Sequence, residues 1–299
     1  LFHVSVFWSS MAETFNQNQA VRLFSVIAAG ASLGAIIGPL ISAVLVQVLK
    51  PQSMMLVCAA LILIPLPISA KLYALRGTAL ENNNLCPVSP ESKIGGNPLH
   101  GFAELVASPY LLGIGMFIIL YTGIGSFVYL EQKNLLAPYS RADRATIYGI
   151  RDAVTNAITF ALAFFITGRL VPRLGMSVAL VIVPTVIFIG MLILAVSPVL
   201  TIAVALWIAR SAGNYGLVRP CREMLFTKVD RESRFKTKPV IDIVAYRGGD
   251  VIMAWFFSSL TQGLGLGMGG VGLVGAGLAV LWGVVGFLLG RNFSNRSIT

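Results

Sequence analysis

Apolar residues in this chain come in blocks of about twenty, the length a helix needs to cross the hydrocarbon core of a bilayer. Eight such blocks run roughly over 24–48, 53–75, 107–130, 146–168, 177–196, 199–218, 239–261 and 269–290, with a partial one at 1–12. Connectors such as Lys50–Ser53 and Ser197–Leu200 are so short that they force antiparallel neighbours. The composition agrees, with 56% hydrophobic residues, 11% charged residues and a mean hydropathy of +0.82. A soluble domain carries about 25% charged residues, so this chain has too little polar material to coat a globule in water. The expectation is an all-α membrane protein, a helical bundle with about eight full transmembrane helices and a partial one.

The net charge of +10 has a topological explanation. Fifteen Lys and Arg fall in loops on one side of the blocks and five on the other, with Arg210 and Arg247 inside blocks. Positive residues accumulate on the cytoplasmic side, which places the first side and the C-terminus there, in an inner membrane. A nucleic-acid partner is not needed to account for the charge. Cys58, Cys86 and Cys221 show neither metal spacing nor an obvious pairing, so no metal site, cofactor or disulfide is expected. Walker, nucleophile-elbow and zincin motifs are absent, and the only histidines are His3 and His100. The expectation is a transporter driven by a gradient or by exchange, not an enzyme; the alternatives are proton-coupled movement of another small metabolite, with Asp250 or Asp242 as the titrating acid, and a non-transporting membrane sensor or scaffold.

The chain opens on "LFHVSVFW", which reads as the end of an apolar span, since no basic segment precedes it. One connector, within 76–101, is long and rich in Asn, Pro, Gly and Ser. If three helices precede the clipped one, this connector falls between helices six and seven of twelve, where a transporter of two six-helix halves has its central loop. The expected division is therefore 1–76 as the end of the N-terminal half, 77–106 as a central cytoplasmic loop, 107–290 as the C-terminal half and 291–299 as a cytoplasmic tail.

Ionisable residues inside the blocks are the candidates for function. On one helix through Val240–Trp255, Asp242, Tyr246, Asp250 and Arg247 share an arc and the apolar side chains fill the other. A charge at membrane depth costs at least ~2.5–3.5 kcal/mol and normally faces the bundle interior or a wet cavity. Arg247 and Asp250 are spaced to pair, while Gly248 and Gly249 leave room for a neighbour or a ligand. Arg210 and Asn214 lie four apart on one face, and Asp152, Thr155, Asn156 and Thr159 form a stripe on another helix. Tyr121 joins them as a polar group within a span. Together Arg247, Asp250, Tyr246, Arg210, Asn214, Asn156 and Tyr121 form the expected substrate path, for a small anionic molecule. Glu131 and Arg151 either line the same cavity or sit at the outer headgroup level. The basic segment 219–242, broken by Met224, Leu225, Phe226, Val229 and Phe235, reads as an interfacial amphipathic helix that meets anionic membrane lipids.

Two motifs carry a family resemblance. Gly30, Gly34 and Gly38 recur every fourth residue before Pro39, a stripe suited to close helix packing, and the pattern resembles the glycine-rich fifth helix of major facilitator transporters. "GRLVPRLG" at 168–175 resembles that family's cytoplasmic loop motif through Gly168, Leu170, Arg173 and Gly175, with Pro172 where the family has Asp. "FWSSMAETF", "QAVRLFSVIAAGASLGAIIGP" and "RPCREMLFTKVDRESRFKTKPVIDIVAYRGGD" look like bacterial members of the ATP/ADP antiporter (nucleotide transporter) family, a branch of the same fold. The resemblance implies a major facilitator-type bundle of which this chain supplies helices 4–12. It also implies alternating access and exchange of nucleoside phosphates such as ATP and ADP.

Overall fold

The computed structural model describes residues 4, 7–9, 11–12, 15, 17–48, 51–65, 67–68, 71 and 100–295, and the statements below concern those residues. No strand occurs among them. The chain divides into two compact units, residues 34–95 and residues 1–33 with 96–299. The smaller unit holds the last part of α1 (Gln17–Val48) and all of α2 (Pro51–Leu63). At 13 residues α2 is shorter than the span expected over 53–75. Pro65 and Pro67 follow it, and each removes a backbone donor that a continuing helix would use.

The larger unit continues with α3 (His100–Ala107), α4 (Pro109–Leu136), α5 (Arg141–Ala161), α6 (Gly168–Val196), α7 (Leu200–Gly213), α8 (Arg219–Leu225), α9 (Arg231–Pro239), α10 (Tyr246–Ser258) and α11 (Met268–Asn295). The expected central loop lies outside the described residues over 77–99, and its last residues form α3 instead. Likewise 291–295 continue α11 rather than starting a tail. Helix starts are set locally. The Ser108 hydroxyl accepts from the Leu111 N–H at 3.4 Å with Pro109 in the first turn, and the Ser140 hydroxyl accepts from the Asp143 N–H at 3.2 Å.

Three helical stretches are long and apolar enough to cross a membrane: Pro109–Leu136, Thr146–Val196 and Met268–Asn295. The second has 51 residues. Straight, it would extend about 76 Å, more than twice a hydrocarbon core of about 30 Å. It bends at Gly175, where φ is 81° and ψ 164°. Only glycine enters that region without strain, so the stretch is two helices hinged on one residue. The motif at 168–175, expected to be a loop, is helical as far as Leu174, and the turn is confined to Gly175. Arg173 is exposed beside it. Gly168 lies against α1, where an added Cβ would come 2.9 Å from the Ser25 hydroxyl oxygen.

The spans expected over 199–218 and 239–261 are helical but interrupted. π-helical turns occupy Asn214–Val218 between α7 and α8 and Val240–Ala245 between α9 and α10. Each takes up extra residue and turns the following side chains out of α register. The two interrupted spans are those that carry Arg210, Asn214, Asp242 and Tyr246.

α4 forms the centre, buried on nearly all sides by α7, α10 and α11. α11 runs antiparallel to the second half of α6 with the backbones in contact. A Cβ on Gly290 would stand 2.3 Å from Ser177 Cα, and one on Gly272 2.9 Å from Ala195 Cβ. The glycines of the last span are thus packing points. Those of α1 are not: a Cβ on Gly30, Gly34 or Gly38 meets nothing within 4 Å among the described residues. α1 packs through its opposite face, where Ala28 and Ala29 meet Ala163 and Phe160 of α5. The fourfold glycine spacing therefore faces no neighbour among the described residues, and the Pro39 side chain lies outside them.

Candidate functional site

Arg210, near the end of α7, is buried to 7% exposure. Its guanidinium carbon lies 4.4 Å from the ring centroid of Tyr121 on α4, and Nη2 donates to the Tyr121 carbonyl at 3.4 Å. The group fits there because residue 125 is glycine: a Cβ at Gly125 would come 2.0 Å from Nη2. Trp207, three residues earlier on the same face, brings its ring to 5.8 Å. Trp282 of α11 packs on Tyr121 at 5.8 Å, and Tyr246 of α10 at 6.4 Å. Two aromatic rings thus face the cation, and two more pack on one of them. No carboxylate lies within 4 Å of it among the described residues, and its Nε has no hydrogen-bond partner there. A buried cation attracted to ring faces gains of order 2 kcal/mol, less than the several kcal/mol that desolvating it costs. The site is electrostatically open to an anion.

Asp250 lies on α10 within electrostatic reach of Arg210 and Arg247. Its pair with Arg247 is loose, at 3.8 Å, and their side chains are 37% and 67% exposed. Of the residues expected on the path, Tyr121, Arg210 and Tyr246 are therefore assembled, and Asp250 and Arg247 stand at their rim. Asn214 is buried one turn beyond Arg210, at the start of a π-helical turn. Asn156 is half-buried on α5, and no hydrogen bond joins it to the cluster among the described residues. Its neighbours Thr155 and Thr159 donate back to their own helix, to the Arg151 and Thr155 carbonyls. Gly249 admits α4, since a Cβ there would lie 2.5 Å from the Thr122 hydroxyl oxygen, whereas Gly248 has open space.

Asp242 belongs elsewhere. The π-helical turn that contains it takes it off the arc of Tyr246, Arg247 and Asp250. Its Oδ1 lies 3.4 Å from Arg222 Nη2 and its Oδ2 3.3 Å from Lys238 Nζ. Both cations also hold Glu223: Arg222 at 2.7 Å, and Lys238 through a short hydrogen bond. Lys238 is fully buried, Glu223 is 1% exposed, and the Lys238 ammonium also faces the Phe226 ring at 5.0 Å. Burial by itself would lower the Arg222 guanidinium, but the Glu223 and Asp242 carboxylates outweigh it and raise its hold on the proton. Burial pushes the neighbouring Cys221 thiol up to about 12. The segment 219–242 was expected to present its cations to lipid headgroups. Arg222 and Lys238 instead point inward onto Glu223 of α8 and Asp242 of the π-helical turn, and the buried Arg234 donates to the Val229 carbonyl at 3.0 Å.

Arg151 and Glu131 are also buried, at 8% and 1% exposure. Arg151 donates to Asp152 at 2.9 Å and to the Gln132 side-chain oxygen at 3.0 Å, and sits 4.3 Å from the Trp207 ring. Trp207 therefore has Arg151 and Arg210 as neighbours. Sequence reasoning missed Trp207, Trp282, Gly125, Glu223 and Lys238. Some signals existed: Trp207 lies three residues before Arg210, Gly125 four after Tyr121, and Lys238 four before Asp242. Each spacing places the pair on one helix face.

A model of the family described as Major Facilitator Superfamily matches residues 4–233 of the chain. Among curated proteins nothing matches it.

Proposed function

The chain belongs to the Major Facilitator Superfamily and is accordingly a multi-pass membrane transporter of a small molecule, not an enzyme; on that premise we propose that its substrate is an organic anion held at Arg210, nucleotides such as ATP and ADP foremost. The observation that carries this reading is the buried Arg210 guanidinium, which has no carboxylate within 4 Å among the described residues. A planar fork of donors suits phosphate or carboxylate oxygens. The rings of Tyr121, Trp207, Trp282 and Tyr246 offer faces on which a base could stack, which favours a nucleotide over a bare inorganic ion. Arg247, Asp250, Asn214 and Asn156 complete the path, with the Arg247–Asp250 pair at its rim.

In this reading the chain supplies helices 4–12 of a twelve-helix fold, with halves at 1–76 and 107–290. It works by alternating access in an inner membrane with the C-terminus in the cytoplasm. Gly175 makes the turn between the eighth and ninth helices, with Gly168 and Arg173 on the helix that leads into it. The test is counterflow in proteoliposomes of the full-length protein, with labelled ATP chased by ADP, phosphate or no anion. Trans-stimulation by ADP and its loss in Arg210→Ala are the expected results. Labelled ATP that never enters, or Arg210→Ala that exchanges like the parent protein, overturns the reading.

A further inference from the structure

The pair formed by α6 and α11 has two sides. On the side toward α4, Gly275, Trp282 and Gly286 of α11 meet Phe127 and Phe117. On the other side the two helices leave a groove of about 350 Å³. Val181, Pro184 and Phe188 of α6 and Ala279, Gly283 and Phe287 of α11 line it, in three- and four-residue steps that keep each set on one helix face. Glycine at 283 makes the room. A Cβ there would lie 3.4 Å from Pro184 Cβ, so a longer side chain would enter the groove.

The lining suits hydrocarbon. Its polar side chain, Thr185, already donates to the Val181 carbonyl at 3.0 Å. From Ala279 to Leu288 the groove runs about 13 Å along α11, close to half of a hydrocarbon core of about 30 Å and so the depth of one leaflet. Its two ends differ in charge. Toward Phe188 and Ala279 there is none, since residues 176–209 and 251–290 contain no Asp, Glu, Lys, Arg or His. At the other end Arg291 follows Leu288 by three residues and Phe287 by four, which sets it over the mouth of the groove. Arg173 stands at the same level, because the backbone of Gly290 meets Ser177, just after the turn at Gly175. Both arginines are exposed. Residues 153–222 and 251–299 hold no Asp or Glu that could neutralise them from their own segments.

We propose that this groove holds one acyl chain of an anionic phospholipid, drawn from the leaflet that meets Arg173 and Arg291, with the two guanidinium groups on its headgroup phosphate. Bulk lipid offers the chain similar apolar contact, so selection comes from the headgroup. Guanidinium forks suit phosphate oxygens, and a zwitterionic lipid sets its own ammonium against the same cations. The site is independent of which anion Arg210 holds.

Native mass spectrometry of the full-length protein, released from liposomes of phosphatidylcholine and phosphatidylglycerol in equal amounts, tests the site without any substrate. The expected result is one phosphatidylglycerol retained per chain. Gly283→Leu fills the groove and is expected to lose it. Arg291→Gln and Arg173→Gln, both surface changes that leave the packing alone, are each expected to weaken retention about fivefold. Equal retention of the two lipids overturns the proposal, and so does a Gly283→Leu protein that keeps its phosphatidylglycerol. A doubled mass without lipid, abolished by Gly283→Leu, gives the groove to a second copy of the chain and also overturns it. Should Gly283→Leu fail to fold, the arginine variants decide: retention unchanged in both overturns the proposal.

Discussion

Two groups of buried charge differ in one respect. Around Glu223, two cations face two carboxylates, and each charge has a partner within 3.4 Å. Around Arg210, one cation faces rings and a carbonyl, and no acid closes the account. The paired cluster satisfies itself and holds α8 to α9 and the π-helical turn after it. The unpaired one is left with attraction to spare, which a ligand can use. Burial of a charge thus has opposite meanings depending on what stands next to it: a fastening in one place and a receptor in the other.

Removing charges separates the two most directly. Lys238→Ala strands Glu223 in the interior with one partner fewer, and about 3–5 kcal/mol of stability is expected to go. Thermal unfolding in detergent measures this, and a melting temperature like the parent's would break the comparison. Arg210→Ala strands no acid, so its melting temperature is expected to hold while uptake falls about 100-fold, the value of one charged contact of roughly 2.7 kcal/mol. Arg210→Lys sharpens the point, because a point charge does not replace the fork and activity is expected to stay low. Gly125→Ala moves the guanidinium without removing it. The clash is with the end of a flexible side chain, so the expected effect is about tenfold or less on apparent affinity, with folding intact. Arg247→Ala is the mildest. An exposed pair at 3.8 Å contributes less than about 1 kcal/mol to stability, and a few-fold change in uptake is expected. Complete loss of uptake in that variant would move the centre of the site from Arg210 to the rim.

The residues that the sequence singled out divide along the same line. Arg210, Tyr121 and Tyr246 stood out because polar groups are costly inside apolar blocks, and that argument depends only on which block a residue occupies. Asp242 was set on the arc of Tyr246, Arg247 and Asp250 by an unbroken 3.6-residue period, and it lies in the paired group instead. The π-helical turn at Val240–Ala245 breaks that period, and nothing in "VIDIVA" announces it. Gly30, Gly34 and Gly38 meet no neighbour among the described residues. Their spacing defines a stripe, but a stripe does not say which neighbour covers it, and Ala28 and Ala29 won the contact. The basic segment misled because its cations were counted without the acids that fold onto them.

The amino-acid order alone decided that this chain is helical and lives in a bilayer, since block length and charge content are properties of each segment by itself. It also decided where α6 turns, because φ of 81° is open to glycine and costly to any other residue. Which charges are paired was decided by tertiary structure alone. Lys238 and Glu223 are 15 residues apart, Arg210 and Tyr121 89 apart, and the balance of charge at each site is set by whatever helices bring within a few ångströms, where Coulomb energy and desolvation are both largest.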